Sequence, residues 1–67
     1  MSGEDVVETL IDLTSSMKTE NARIEAVRSL ASYLHDERAV NALQKLTSSM
    51  TIEAVRIEAI KALGKRC

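Results

Sequence analysis

The sequence predicts an all-α fold of the α-solenoid type, made of two stacked antiparallel helical hairpins and therefore of four helices. The first observation is an internal repeat: residues 3–34 laid over residues 36–67 without a gap give 14 identities in 32 pairs. The second is composition, because proline is absent and Ala, Leu, Glu, Arg and Lys dominate the interior, which favours helix over strand. A fixed period of this length is typical of proteins that stack repeated units.

A chain of 67 residues predicts one domain, 1–67, with repeat one at 3–34 and repeat two at 36–67. Repeat one opens with a helix predicted over about Glu4–Ser15, because apolar residues recur at i, i+3, i+4 and i+7, and Ser2 is its predicted N-cap. The hydroxyl-rich stretch Thr14–Thr19 suits a turn, since these side chains compete for backbone hydrogen bonds. Met17 in this turn and Met50 in the second one are predicted to fill the core, with a methionine-rich binding groove as the alternative.

The remaining helices follow from caps and periodicity. Thr19 is the predicted N-cap of the second helix, which is expected to run from Glu20 to about Leu34. Asp36 is the predicted N-cap of the third, over about Glu37–Ser48, and the fourth is expected over about Ile52–Lys65. Connections of a few residues make neighbouring helices antiparallel. The first helix of each repeat is called the A helix and the second the B helix.

The B helices carry a pattern that identifies a family. Residues 22–30 read Ala-Arg-Ile-Glu-Ala-Val-Arg-Ser-Leu, and residues 55–64 read Val-Arg-Ile-Glu-Ala-Ile-Lys-Ala-Leu-Gly. This resembles the Val-Arg-x-x-Ala-x-x-Ala-Leu-Gly pattern of short HEAT-like repeats, the class also found in phycobilisome lyases. The A helix with Ala39, Val40, Leu43 and Leu46 fits the same family, and the resemblance covers nearly the whole chain. The Asp-Pro that the family often has in its A–B turn is missing.

The resemblance implies roles for individual residues. Arg23 and Arg56 are expected to be structural, each spanning the groove between hairpins to bind carbonyls or an acid. The alternative is that each binds a carboxylate of a partner protein. The B helices line the concave side in this family, so their exposed face is the candidate partner-binding surface; the alternative is a solvated face whose charges pair with one another. Its candidate residues are Asn21, Glu25, Arg28, Ser32, Glu58, Lys61 and Lys65, with Ser29, Ala54 and Ala62 on the same face.

The function expected from these features is that of a protein–protein interaction scaffold or adaptor. One alternative is a self-associating homodimer that stacks the first A helix or the repeat ends, because stable arrays usually need at least three repeats. Ile11 aligns with Gln44, so the first A helix is unusually apolar; Val7 and Ile11 are the candidate contacts, unless Ile11 only fills a gap in the core. A second alternative, implied by the resemblance, is an accessory piece of a bilin lyase-like protein.

Composition and spacing argue against other classes of function. The net charge of −1 and the single aromatic residue, Tyr33, predict no nucleic-acid partner. No apolar run approaches 18 residues, so no membrane partner is expected. One cysteine and one histidine cannot form a closed zinc site, and neither a cofactor nor a catalytic group is predicted. Two repeats predict no deep cavity of ligand size, and a cytoplasmic location is the expected default.

Overall fold

The computed structural model describes residues 6–15, 17–48 and 50–65. Over these ranges the chain forms four α-helices in the predicted order, one short 3₁₀ helix and no strand. The α-helices are α1 (Val6–Leu13), α2 (Glu20–Leu30), α3 (Glu37–Ser48) and α4 (Glu53–Gly64). The predicted all-α class, with four helices packed in pairs, is confirmed.

The first A helix, α1, ends earlier than the sequence predicted. The prediction ran to Ser15, but α1 ends at Leu13, where the Thr14 hydroxyl donates a 2.6 Å hydrogen bond to the Ile11 carbonyl. The backbone N–H groups of Thr14 and Ser15 also reach back only three residues, which tightens the last turn into the link. The predicted start of this helix, with its Ser2 cap, lies outside the described residues.

The first B helix, α2, begins as predicted and ends differently. Thr19 has an extended backbone, and its hydroxyl accepts a hydrogen bond of 3.3 Å from the N–H of Ala22. The α-helix was expected to reach Leu34, but it ends at Leu30 and continues as the 3₁₀ helix Ala31–Tyr33. A 3₁₀ turn satisfies the last carbonyls where the chain must reverse within a few residues.

The two helices of repeat two begin in different ways. The carboxylate of Asp36 accepts the N–H of Arg38 at 2.8 Å and caps α3. Ile52 has the extended backbone of an N-cap before α4 but offers no side-chain acceptor. Repeat two therefore keeps the cap geometry before its B helix without the hydrogen bond that Thr19 supplies in repeat one.

The helices form a flat, two-layered plate of 32 × 29 × 15 Å. Within the repeats α1 packs on α2 and α3 on α4; between them α2 packs closely on α4, whereas α1 and α3 touch less. The B helices thus hold the repeats together, and a groove remains between the A helices. The buried apolar side chains are Val7, Ala26, Val27, Leu30, Ala39, Val40, Leu43, Leu46, Val55, Ala59 and Ala62.

Three predictions about burial were wrong. Met17 and Met50 were expected to fill the core, but they are 89% and 100% exposed. Both follow the end of an A helix, at Leu13 and Ser48, so the helical period no longer places them on the apolar face. Ala62 was expected on the exposed B-helix face but is 3% exposed, because it belongs to the side of α4 that joins the core.

Candidate interaction surfaces

Arg23 lies at the centre of the junction between the two repeats. It is only 3% exposed; its Nε donates a 3.0 Å hydrogen bond to the carbonyl of Thr14, and a second guanidinium nitrogen donates to the hydroxyl of Thr51. Thr14 follows α1, and Thr51 lies in the turn before α4. One buried side chain therefore joins the end of the first A helix to the A–B turn of the second repeat. Arg56, its equivalent in repeat two, is less buried.

The predicted partner-binding residues meet at the seam between α2 and α4. Arg28 of α2 bonds Glu58 of α4, with 3.4 Å between Nε and Oε1, and also Glu25 of its own helix at 3.1 Å. Lys61 lies 4.0 Å from Glu58. The hydrogen bond and charge of Glu58, followed by the charge of Glu25, raise the pKa of Arg28 above its usual value.

A shallow depression of about 220 Å³ opens at this seam. Two small side chains, Ala31 and Ala62, contribute to it beside the charged residues Arg28, Glu58, Lys61 and Lys65. The structure thus brings together four of the residues that the sequence singled out. Glu25 joins them through Arg28, while Asn21 and Ser32 are exposed on the same side of the chain but do not line the depression.

The charge around the depression is unbalanced. Three cations, Arg28, Lys61 and Lys65, surround one carboxylate, Glu58, whose side chain is only 17% exposed. The cations are more accessible, with side-chain exposures of 58% for Arg28 and 66% for Lys61. Glu25, which is bonded to Arg28 but does not line the depression, is 71% exposed, so the excess of positive charge is confined to the depression itself.

A larger groove lies on the opposite side, between α1 and α3. Its volume is about 770 Å³, and it is an open groove rather than a deep cavity. It is lined by Glu8, Ile11, Thr14, Ser15, Arg23, Arg38, Asn41, Ala42, Lys45, Leu46, Met50 and Thr51. One hint is that Ile11 stands where repeat two has Gln44, but no spacing rule predicts that the A helices diverge while the B helices pack closely.

An ion-pair cluster at the edge of this groove was not predicted. Arg38 of α3 bonds Glu8 of α1 at 3.0 Å and Asp36 at 2.9 Å. The side-chain hydrogen bond from Arg38 is the main cause that lowers the pKa of Asp36. The arginine therefore links the two repeats on the A side, as Arg28 links them on the B side.

The two residues of α1 that were proposed for self-association differ in their burial. Val7 is 5% exposed and belongs to the core cluster, so the prediction that it contacts a second copy is corrected. The residue occupies the same face of its helix as Leu10, against α2, and the chain's own fold already covers it. Ile11 is partly buried against the core and also lines the groove.

Comparison with known families agrees with this architecture. A scan against protein-family models matches HEAT repeats over residues 4–67, nearly the whole chain. The chain belongs to the HEAT repeat family. Comparison with curated proteins and with solved structures returned no match.

Membership of the HEAT family sets the general class of function. HEAT repeats are generally protein-interaction scaffolds and are typically non-catalytic. Within residues 6–15, 17–48 and 50–65, no three His, Cys, Asp or Glu side chains are grouped so as to hold a metal ion. No helix in that part of the chain combines the length and the apolar character needed to cross a bilayer.

Proposed function

We propose that this HEAT unit is a protein-interaction module whose B-helix face binds an acidic segment of a partner protein. The single observation that carries the proposal is the seam depression, where Arg28, Lys61 and Lys65 surround the largely buried Glu58. The binding surface also includes Glu25, Asn21 and Ser32, which extend it along α2. Charged rims of this kind govern specificity and association rate more than they add affinity.

The geometry supports a short acidic ligand with a small apolar contact. Ala31, which follows α2, and Ala62 of α4 line the depression, so a partner methyl or methylene group fits between them while its carboxylates face the cations. An exposed ion pair contributes about 0.2–1 kcal/mol, so binding depends on several carboxylates acting together. We therefore expect weak, salt-sensitive binding of segments with at least two acidic residues.

The test is a peptide selection followed by calorimetry. Peptides selected by display for binding to the full chain are expected to be acidic, and their affinity should fall as salt rises. Reversing two seam charges, Lys61→Glu with Lys65→Glu, should raise Kd about tenfold or more, equivalent to about 1.4 kcal/mol. A matched double reversal away from the seam, Lys18→Glu with Lys45→Glu, should leave Kd within about twofold, because screening weakens distant exposed charges. Equal losses in the two double variants would count against the proposal.

The groove between α1 and α3 supports a second candidate, the binding of an apolar partner side chain. Its volume of about 770 Å³ and the presence of Ile11, Ala42 and Met50 in its wall favour this. Met50 is fully exposed, and methionine adapts its shape to irregular apolar ligands. If this groove is the binding site, Ala42→Glu abolishes binding of the selected peptides and the seam reversals do not.

The accessory role beside a bilin lyase stays a prediction drawn from the family resemblance. A bilin titration followed by absorbance tests it directly. A chromophore that binds the chain changes its absorption spectrum, and an unchanged spectrum at saturating chain concentration removes this candidate.

A further inference from the structure

The outward face of α4 carries an apolar stripe that none of the described residues, 6–15, 17–48 and 50–65, covers. Ile57 and Ile60 are 43% and 56% exposed, and Glu53 and Gly64 are exposed beside them. Their spacing of i, i+4, i+7 and i+11 places all four on one side of the helix. This outer stripe lies opposite the buried side of α4, formed by Val55, Ala59 and Ala62.

In repeat one, the residues equivalent to this stripe are packed inside the chain. The equivalent positions, 33 residues earlier, are Ile24 and Val27 of α2 and Ala31 of the 3₁₀ helix that follows it. There Val27 is fully buried, Ile24 and Ala31 pack against the core, and Ala31 lies beside Glu58 and Ala62 of α4 at the seam depression. The stripe is therefore a docking surface in repeat one, and in repeat two the same positions face solvent.

We propose that the outer stripe is the contact of a homodimer in which α4 packs antiparallel on α4 of a second copy about a two-fold axis. The stripe is complementary to itself in this arrangement. With the axis between Ile57 and Ile60, Ile57 of one copy meets Ile60 of the other, and Glu53 meets Gly64. A side chain at Gly64 would have no neighbour within 4 Å in the single chain, so the second copy has room to approach there.

The charges at the two ends of the stripe favour the antiparallel direction; the cations that flank its middle, Arg56 and Lys61, face cations in either direction. Glu53 stands at the first turn of α4, and Lys65 follows the last. Reversing one helix on the other brings Glu53 of each copy beside Lys65 of its mate, which gives two opposite-charge contacts at the ends of the apolar stripe. A parallel arrangement would instead place like charges together at both ends. An isologous contact of this kind closes on itself and yields a dimer and no larger assembly.

Head-to-tail stacking of copies fits the residues less well. Inside the chain, Arg23 of repeat one binds Thr51 of repeat two. In a head-to-tail stack Arg56 would take the place of Arg23, and Lys18 of the next copy would take the place of Thr51. Two cations would then meet where the chain's own repeats form a hydrogen bond, and this repulsion opposes an open-ended array.

Sedimentation equilibrium of the full chain over a wide concentration range, with reductant present, tests the dimer. The wild type is expected to fit a monomer–dimer equilibrium. Ile60→Glu and Ile57→Glu, separately, should each raise the dimer dissociation constant about tenfold or more, because each places a charge in the apolar contact. Met50→Glu, at a fully exposed methionine on another surface, is the matched control and should leave the dissociation constant unchanged.

A charge exchange at low salt tests the antiparallel direction. Glu53→Lys and Lys65→Glu should each weaken the dimer, and the double variant should restore it. Circular dichroism of each variant checks that the helices are kept. A wild type that is monomeric throughout, a dimer unaffected by both isoleucine variants, growth beyond the dimer, or no rescue in the double variant would each overturn the proposal. Ile60 does not line the seam depression, so Ile60→Glu should weaken the dimer without weakening peptide binding. The two proposals can therefore be tested independently.

Discussion

The guanidinium of Arg23, in repeat one, donates a hydrogen bond to the hydroxyl of Thr51, in repeat two. The same side chain binds the carbonyl of Thr14 at 3.0 Å, and it is almost completely buried. Its two hydrogen-bond partners are neutral oxygens, so the buried charge depends on these hydrogen bonds for its stability. Arg23 therefore determines how the two hairpins are joined.

Replacing Arg23 with lysine tests whether the shape of the guanidinium group, as distinct from its charge, stabilises the fold. Arg23→Lys keeps the charge but loses the forked donor geometry that reaches two acceptors at once. We expect a loss of about 1–3 kcal/mol in the free energy of unfolding, the range for a buried polar group left without a partner. Urea denaturation measures it, and Arg56→Lys, at the less buried equivalent, should cost less. Equal losses at the two positions would contradict the role assigned to Arg23.

The start of α4 offers a stabilising substitution. Ile52 occupies the N-cap position with an extended backbone and no side-chain acceptor, whereas Thr19 caps α2. Ile52→Thr should therefore raise the free energy of unfolding by about 1 kcal/mol, and Thr19→Ala should lower it by a similar amount. Ile52→Val, which is β-branched but cannot accept a hydrogen bond, is the control. If the valine variant gains as much as the threonine variant, the cap is not the cause.

The Asp36–Arg38 contact predicts a dependence of stability on pH. The side-chain hydrogen bond from Arg38 lowers the pKa of Asp36 below its usual 3.8. A carboxyl with a lower pKa in the folded state stabilises the fold fully above its unfolded-state pKa, and this contribution is lost as pH falls through the folded-state value. The free energy of unfolding should thus fall as pH drops below about 4.

Asp36→Asn should make this acid-induced fall shallower, since an amide does not titrate. Arg38→Met, which removes the donor, should have the same effect through the other partner. Urea denaturation at a series of pH values measures both slopes. An unchanged slope in the asparagine variant would show that other carboxyls cause the fall.

Ala62 of α4 and its equivalent in α2, Ser29, form a matched pair of sites that tests how α4 is buried. Ala62 is 3% exposed, and Ser29 is exposed. Ala62→Ser places a hydroxyl against the core and should cost about 1–3 kcal/mol of unfolding free energy if the hydroxyl finds no acceptor. Ser29→Ala should change it by less than about 0.5 kcal/mol. Similar small effects in both variants would mean that α4 is not packed as described.

The sequence predicted the helices and their order because periodicity and caps are local. Thr19 and Asp36 start α2 and α3 as expected, since a cap needs only the next few residues. Met17 and Met50 were misplaced because a helical period predicts a face only while the helix lasts, and each A helix ends before its methionine. Ala62 was misplaced because α4 is apolar on two sides, and the sequence alone does not say which side the core covers.

The candidate sites were only partly predictable. The residues at the seam depression follow from the B-helix pattern and the expected stacking of α2 on α4. The contact between Glu8 and Arg38 crosses 30 residues, and no local spacing links them. The groove between α1 and α3 depends on the angle between the two A helices, which is a property of packing. The exposure of Ile57 and Ile60 likewise depends on what lies beside α4.

The most direct test of the proposed function is an NMR footprint of a selected acidic peptide on the ¹⁵N-labelled full chain. The account predicts that the largest amide shifts fall at Arg28, Glu58, Lys61 and Lys65, at the seam of α2 and α4, and that the Lys61→Glu, Lys65→Glu double variant loses them. Shifts confined to Ile11, Ala42 and Lys45, in the groove between α1 and α3, would contradict it.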